Sequence, residues 1–121
     1  MSNGRARLDW INTAMNLAFD IAEYRVEDLN TQVGACIIKN DLDILLGYNG
    51  APAGIEIDWL NREEKRKRVI HAECNVLSRV KVGETKIFCL THLCCLECLK
   101  LIAQKQIKTV YQIGTIERGN K

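Results

Sequence analysis

Proline occurs once in this chain, histidine twice, and no run of about 18 apolar residues is present. Each shortage narrows the reading. The one proline, Pro52, falls inside a glycine-rich stretch at residues 47–54, which is therefore loop. Nothing else in the chain is repetitive or of low complexity. Its 121 residues, 47% of them hydrophobic, suffice for a single domain over residues 1–121, and a second is not expected. The missing apolar run, together with the lack of a signal-peptide pattern, argues against a membrane partner. It points to a soluble protein of the cytoplasm, or of the cytosol of an infected host cell. An excess of one charge is lacking too: 17 basic and 15 acidic side chains leave a net +2. Nucleic acid is thus not the expected partner, whereas a small anionic molecule is compatible with this balance.

Cysteine, by contrast, is plentiful, with six in the chain. In a reducing compartment that number means metal ligands and free thiols more often than disulfides. Two of the six, Cys95 and Cys98, form C-x-x-C, and His71 and Glu73 form an H-x-E upstream of them. One imidazole and two thiolates are three ligands for a tetrahedral zinc, which leaves a fourth position for water. Three protein ligands suggest catalysis; four would suggest a structural site, and Cys74, Cys89, His92 and Cys94 are the candidates for a fourth. The H-x-E glutamate favours catalysis, because a structural site does not need it. Zinc makes water nucleophilic near neutral pH, and Glu73 would carry the protons. H-x-E with C-x-x-C is the signature of zinc-dependent deaminases of nucleobases and nucleotides.

The spacing also predicts local structure. Cys95 and Cys98 share a face if they open a helix, which Leu96, Leu99, Leu101 and Ile102 continue. His71 and Glu73 would diverge by about 200° in mid-helix, so they must open their own helix, continued by Asn75, Val76, Leu77 and Val80. Trp10, Ile11, Ala14, Leu17, Ala18 and Ile21 mark an amphipathic first helix. Strands are expected at residues 32–38, 44–48, 86–91 and 109–113, the first two as an antiparallel hairpin. Residues 55–69 are charged and read as surface. This order fits an α/β sandwich, a mixed sheet covered by helices.

Four segments together resemble the deoxycytidylate (dCMP) deaminases of the cytidine deaminase-like superfamily: Gln32-Val33-Gly34-Ala35-Cys36-Ile37-Ile38, Gly47-Tyr48-Asn49-Gly50-Ala51-Pro52-Ala53-Gly54, His71-Ala72-Glu73-Cys74-Asn75, and Cys95-Leu96-Glu97-Cys98. The glycine-rich loop and Asn75 favour dCMP deaminases over the tRNA adenosine and riboflavin-pathway deaminases. The resemblance implies a three-layer α-β-α sandwich, Zn2+ as cofactor, and hydrolysis of dCMP to dUMP and ammonia by a homo-oligomer. It implies zinc on His71, Cys95 and Cys98, and Glu73 as the catalytic acid and base. Asn49 would contact sugar or base, and the Ala72 backbone the pyrimidine. Arg25 matches an arginine placed near the 5′-phosphate in some members, with an exposed helix-end cation as the alternative.

The chain departs from that family at Cys94, where a proline is usual, at its short C-terminus, and in residues 114–120, which lack aromatics that often cover the nucleotide. The basic run from Lys65 to Arg68, next to Glu63 and Glu64, reads as a solvated helix face. Cys36, Cys74 and Cys89 read as small buried hydrophobes, and His92 as a wall or supporting residue of the site. Two other functions compete with dCMP deamination. One is a nucleic-acid deaminase acting on tRNA adenosine or cytidine, and the other a non-catalytic, deaminase-like regulatory subunit.

Overall fold

Side chains along the two central strands alternate between faces, and both faces are apolar, so helices must cover both. In the computed structural model, which describes residues 3–68 and 70–113, these strands are β1 (Gly34–Lys39) and β3 (Thr85–Leu90). Ala35, Ile37, Phe88 and Leu90 point to one face, where they pack with Ala72, Val76, Leu77 and Ile102. Cys36, Ile38, Ile87 and Cys89 point to the other, against Ala14 and Ala18. Each fully buried Ile, Leu or Phe contributes roughly 1.5–3 kcal/mol.

β2 (Ile44–Tyr48) pairs antiparallel with β1, from Gly34↔Tyr48 to Ile38↔Ile44. β3 lies antiparallel on the other side of β1, and β4 (Tyr111–Gln112) parallel to β3, giving the mixed order β2-β1-β3-β4. α1 (Trp10–Arg25) covers one face. α2 (Arg62–Arg68) follows the glycine-rich loop, and α3 (Ala72–Leu77) and α4 (Leu96–Gln104) cover the second face. This is the three-layer sandwich expected. Among the described residues no helix is long and apolar enough to cross a membrane. The chain end, residues 114–120 included, lies outside the described residues, as does residue 69.

α1 meets the sheet differently from the sequence expectation. Its contact line is Ala14, Ala18 and Ala22, while Trp10 and Ile11 remain 45% and 36% exposed. Close approach is the reason: a Cβ on Gly34 would stand 1.8 Å from the Ala18 carbonyl oxygen, so only small residues fit between helix and strand. Gly47 does the same for the opposite layer, where a Cβ would lie 2.7 Å from the Ala72 carbonyl oxygen. Strand boundaries also shift. β1 starts at Gly34 rather than at residue 32, because Val33 N–H donates to Asn49 Oδ1 (2.8 Å) and the Thr31 carbonyl accepts from Asn49 Nδ2 (2.9 Å). The last strand pairs over Tyr111–Gln112 alone.

Candidate metal centre

α3 and α4 each begin on a metal-binding residue type. His71 is the N-cap of α3 and Cys95 the N-cap of α4; both backbones are extended there, and neither side chain makes a capping hydrogen bond. Ser or Asp at such positions would cap the helix; His and Cys leave the cap unmade and point elsewhere. They converge. His71 Nδ1 lies 3.6 Å from Cys95 Sγ and 3.6 Å from Cys98 Sγ. Glu73, in the first turn of α3 and buried, completes a set in which one ligand atom from each residue lies within 4.8 Å of all the others. Both pairs therefore open their helices, as their spacing predicts.

The geometry suits zinc. Bond lengths of about 2.3 Å to sulfur and 2.0–2.1 Å to nitrogen, at a tetrahedral angle, put N and S about 3.6 Å apart. That matches both His71–cysteine separations. Burial, reinforced by Glu73 and Cys95, pushes the Cys98 thiol well above the ordinary thiol range, so a thiolate there needs a cation beside it. Of the other candidate ligands, Cys74 comes close, with Sγ 3.8 Å from Cys98 Sγ. Cys89 lies on the α1 face of the sheet, its thiol toward the Ile11 carbonyl. His92 Nδ1 is 2.6 Å from Thr91 Oγ1, and its ring lines a recess with Phe19 and Leu29 rather than the wall of this site. Cys94 is half-buried and its N–H donates to Gln112 Oε1 (3.1 Å), so β4 holds the cysteine loop. Sequence reasoning missed Gln112.

A cavity of about 280 Å³ opens beside the cluster, lined by His71, Ala72, Glu73 and Cys95 on one side and by Asp28, Thr31, Val33, Asn49, Lys65 and Leu93 around it. Asn49 is buried on this wall, its amide cross-linking residues 31 and 33 as described. Ala72 is the first residue of α3, and its N–H precedes the first helical bond, from Asn75 N to the His71 carbonyl (2.9 Å). Arg25 does not line this cavity. It ends α1, exposed, with its guanidinium 5.7 Å over the Tyr48 ring and 3.5 Å from the Tyr48 hydroxyl, in a separate recess with Gly50 and Ala51.

Lys65 departs from the solvated face expected of the basic run. Its Nζ lies 2.6 Å from Oδ2 of the fully buried Asp28. An isolated carboxylate is too costly to bury, so it draws the nearest cation inward. Neither residue carries a motif, and an acid and a base 37 positions apart leave no local signal of pairing. The side chains of residues 66–68 lie outside the described residues.

The family model "Cytidine and deoxycytidylate deaminase zinc-binding region" matches residues 8–113. Deoxycytidylate deaminase from Pongo abelii is 37% identical over 115 residues, covering 85% of this chain; the chain spans 64% of that protein's length. The dCMP deaminase of the cyanophage S-TIM5 in its apo form superposes with a TM-score of 0.74 at 26% identity, covering 93% of this chain and 88% of that one. The same enzyme in complex with dCMP and dUMP gives 0.73 at 26% identity, covering 91% and 85%.

Proposed function

This chain belongs to the cytidine and deoxycytidylate deaminase zinc-binding family, and on that premise we propose that it is a zinc-dependent hydrolase converting dCMP and water to dUMP and ammonia. The observation that carries the reading is Glu73: a buried carboxylate within 4.8 Å of three nitrogen and sulfur donors, beside a cavity, is superfluous in a structural site. His71, Cys95 and Cys98 would hold the zinc. When bound, it supplies the Lewis acidity that makes water nucleophilic at neutral pH.

Glu73 then moves the protons. Its carboxylate takes one from the attacking water as oxygen bonds to C4 of the cytosine, and delivers it to N3 of the ring. The proton left on the new C4 hydroxyl passes by the same carboxylate to the exocyclic amine, the C4–N bond breaks as the C4 carbonyl forms, and ammonia leaves. The wall that carries Asn49 and the Ala72 N–H would hold sugar and pyrimidine. Arg25, engaged with Tyr48, has a place in this reading as an outlying cation near the phosphate. The same reading has the chain act in the cytoplasm, which its six free cysteines suit, and as a homo-oligomer, which the exposed Leu96, Leu99 and Ile113 support.

Ammonia release from dCMP, CMP, dCTP, deoxycytidine and a tRNA anticodon stem tests the reading directly. The expected result is turnover of dCMP above the others. Preference for the RNA would replace the mononucleotide reading, and zinc-loaded protein inert on all five would make the chain a non-catalytic member.

A further inference from the structure

Asp28 is the second carboxylate on the cavity wall beside Glu73, among the described residues, and the reaction above does not use it. It is fully buried, with Oδ1 accepting from the Asn30 N–H at 3.0 Å and Oδ2 paired with Lys65 Nζ at 2.6 Å. The two ends of this pair are unlike: the Asp28 side chain is 1% exposed and that of Lys65 is 19%. Both residues line the cavity, and the Lys65 side chain is the more exposed of the two. The contact with Asp28 is a close ion pair in which Oδ2 accepts no hydrogen bond, so the three N–H donors of the ammonium remain for a second anion. Lys65 is also the one Lys or Arg among the described residues lining the cavity.

We propose that Lys65 recognises the phosphate of the mononucleotide, with Asp28 as the positioning residue that fixes its ammonium on the cavity wall. The proposal deepens the dCMP reading and rests on it. Glu73 and Lys65 line one cavity, so a single ligand can present its ring to the first and its anionic end to the second. Arg25, whose guanidinium lies on Tyr48 in a different recess, would contribute less.

Calorimetric binding of dUMP and of deoxyuridine to the zinc-loaded chain reads this contact without requiring turnover. Wild type is expected to bind dUMP about ten- to a hundredfold more tightly than deoxyuridine, the scale of one charge-assisted contact. Lys65→Met removes most of that ratio, and Lys65→Arg keeps most of it. Because Lys65→Met strands a buried carboxylate and can unfold the chain, the double variant Asp28→Asn with Lys65→Met, which has no orphan charge, carries the same expectation. Asp28→Asn alone keeps the ammonium, and so weakens the ratio less than Lys65→Met does. Equal losses from those two single variants would make the pair merely structural and overturn the proposal. So would a wild type that binds both ligands alike, or a ratio erased by Arg25→Ala rather than by Lys65→Met. Ammonia release from dCMP, measured alongside, separates the two failures. A chain that prefers dUMP through Lys65 but releases no ammonia refutes deamination, whereas one that deaminates dCMP with its ratio untouched by Lys65→Met refutes the phosphate contact.

Discussion

Gly34 lies directly beneath the backbone of Ala18, close enough that a Cβ on the glycine would sit 1.8 Å from the Ala18 carbonyl oxygen and 2.8 Å from its carbon. Backbone cannot rotate aside as a flexible side chain does. Gly34→Ala should therefore cost about 3 kcal/mol or more in urea denaturation, at the upper end of overpacking. Gly47→Ala, which meets Ala72 and Val76 of α3 instead, should also weaken zinc binding, because α3 carries Glu73 and starts at His71. Unchanged midpoints for both variants would mean that the helices do not lie as close as described.

The metal prediction concerns identity as well as number. The chain should bind about one zinc, and Cys98→Ser should lose it together with part of the folding free energy that thiolate–zinc bonding supplies. Cys74→Ser and Cys94→Ala should retain it, since neither thiol belongs to the four-residue set. Metal analysis of purified variants decides the matter; loss of zinc from Cys74→Ser with retention in Cys95→Ala would reassign the ligands.

For Glu73 the expectation is a separation of roles. Glu73→Ala should keep zinc and dUMP binding while turnover falls by at least about a hundredfold, the scale of losing a general acid and base. Steady-state kinetics alongside metal analysis checks this, and loss of the metal in that variant would make Glu73 a ligand.

Asn49 has two tasks that one substitution removes together. Asn49→Ala orphans the Val33 N–H and the Thr31 carbonyl, at a cost of about 2 kcal/mol in chemical denaturation. On the cavity wall it should lower kcat/KM for dCMP and deoxycytidine by the same factor, because the contact involves sugar or base. A selective effect on dCMP would shift its role to the phosphate end.

Alkaline pH probes the opposite face of the sheet. Burial pushes the Cys36 thiol up to about 12, with Cys89 adding to it, and burial pushes Cys89 to about 11, both from 9.0. The folded chain keeps these protons where the unfolded chain has lost them, so their contribution is complete below pH 9.0 and is lost as pH rises toward about 12. Denaturation midpoints should fall across that window, and the fall should be shallower in the Cys36→Ala, Cys89→Ala double variant. Parallel slopes in the two proteins would remove these thiols as the cause.

The metal centre was legible in the sequence because its logic is local. Two residues apart forces His71 and Glu73 to a helix start, and three apart puts Cys95 and Cys98 on one face. The strands were legible as short apolar runs, and the helix-covered sheet from the order of the elements. What stayed hidden was set by distant parts of the chain. The Asp28–Lys65 pair and the Gln112 contact to Cys94 depend on the loops that bring them together. The alanine face of α1 depends on how near Gly34 lets the helix come, whereas pattern reading favours the larger Trp10 and Ile11. Arg25 was read from motif position, which carries no information about the Tyr48 ring waiting beneath it.

His71 and Cys95 occupy cap positions without capping, and α3 is only six residues long. A helix of that length does not persist alone in water. Zinc held by His71, Cys95 and Cys98 would fix the first turns of α3 and α4 to each other in place of the side-chain caps that neither helix makes for itself. Chelation should therefore speed amide exchange first at residues 72–75 and 96–99, while β1 and β3 stay protected, as a local opening governed by free metal concentration. Zinc supply would then set the lifetime of one layer of the molecule against proteases, independently of whether any substrate is present.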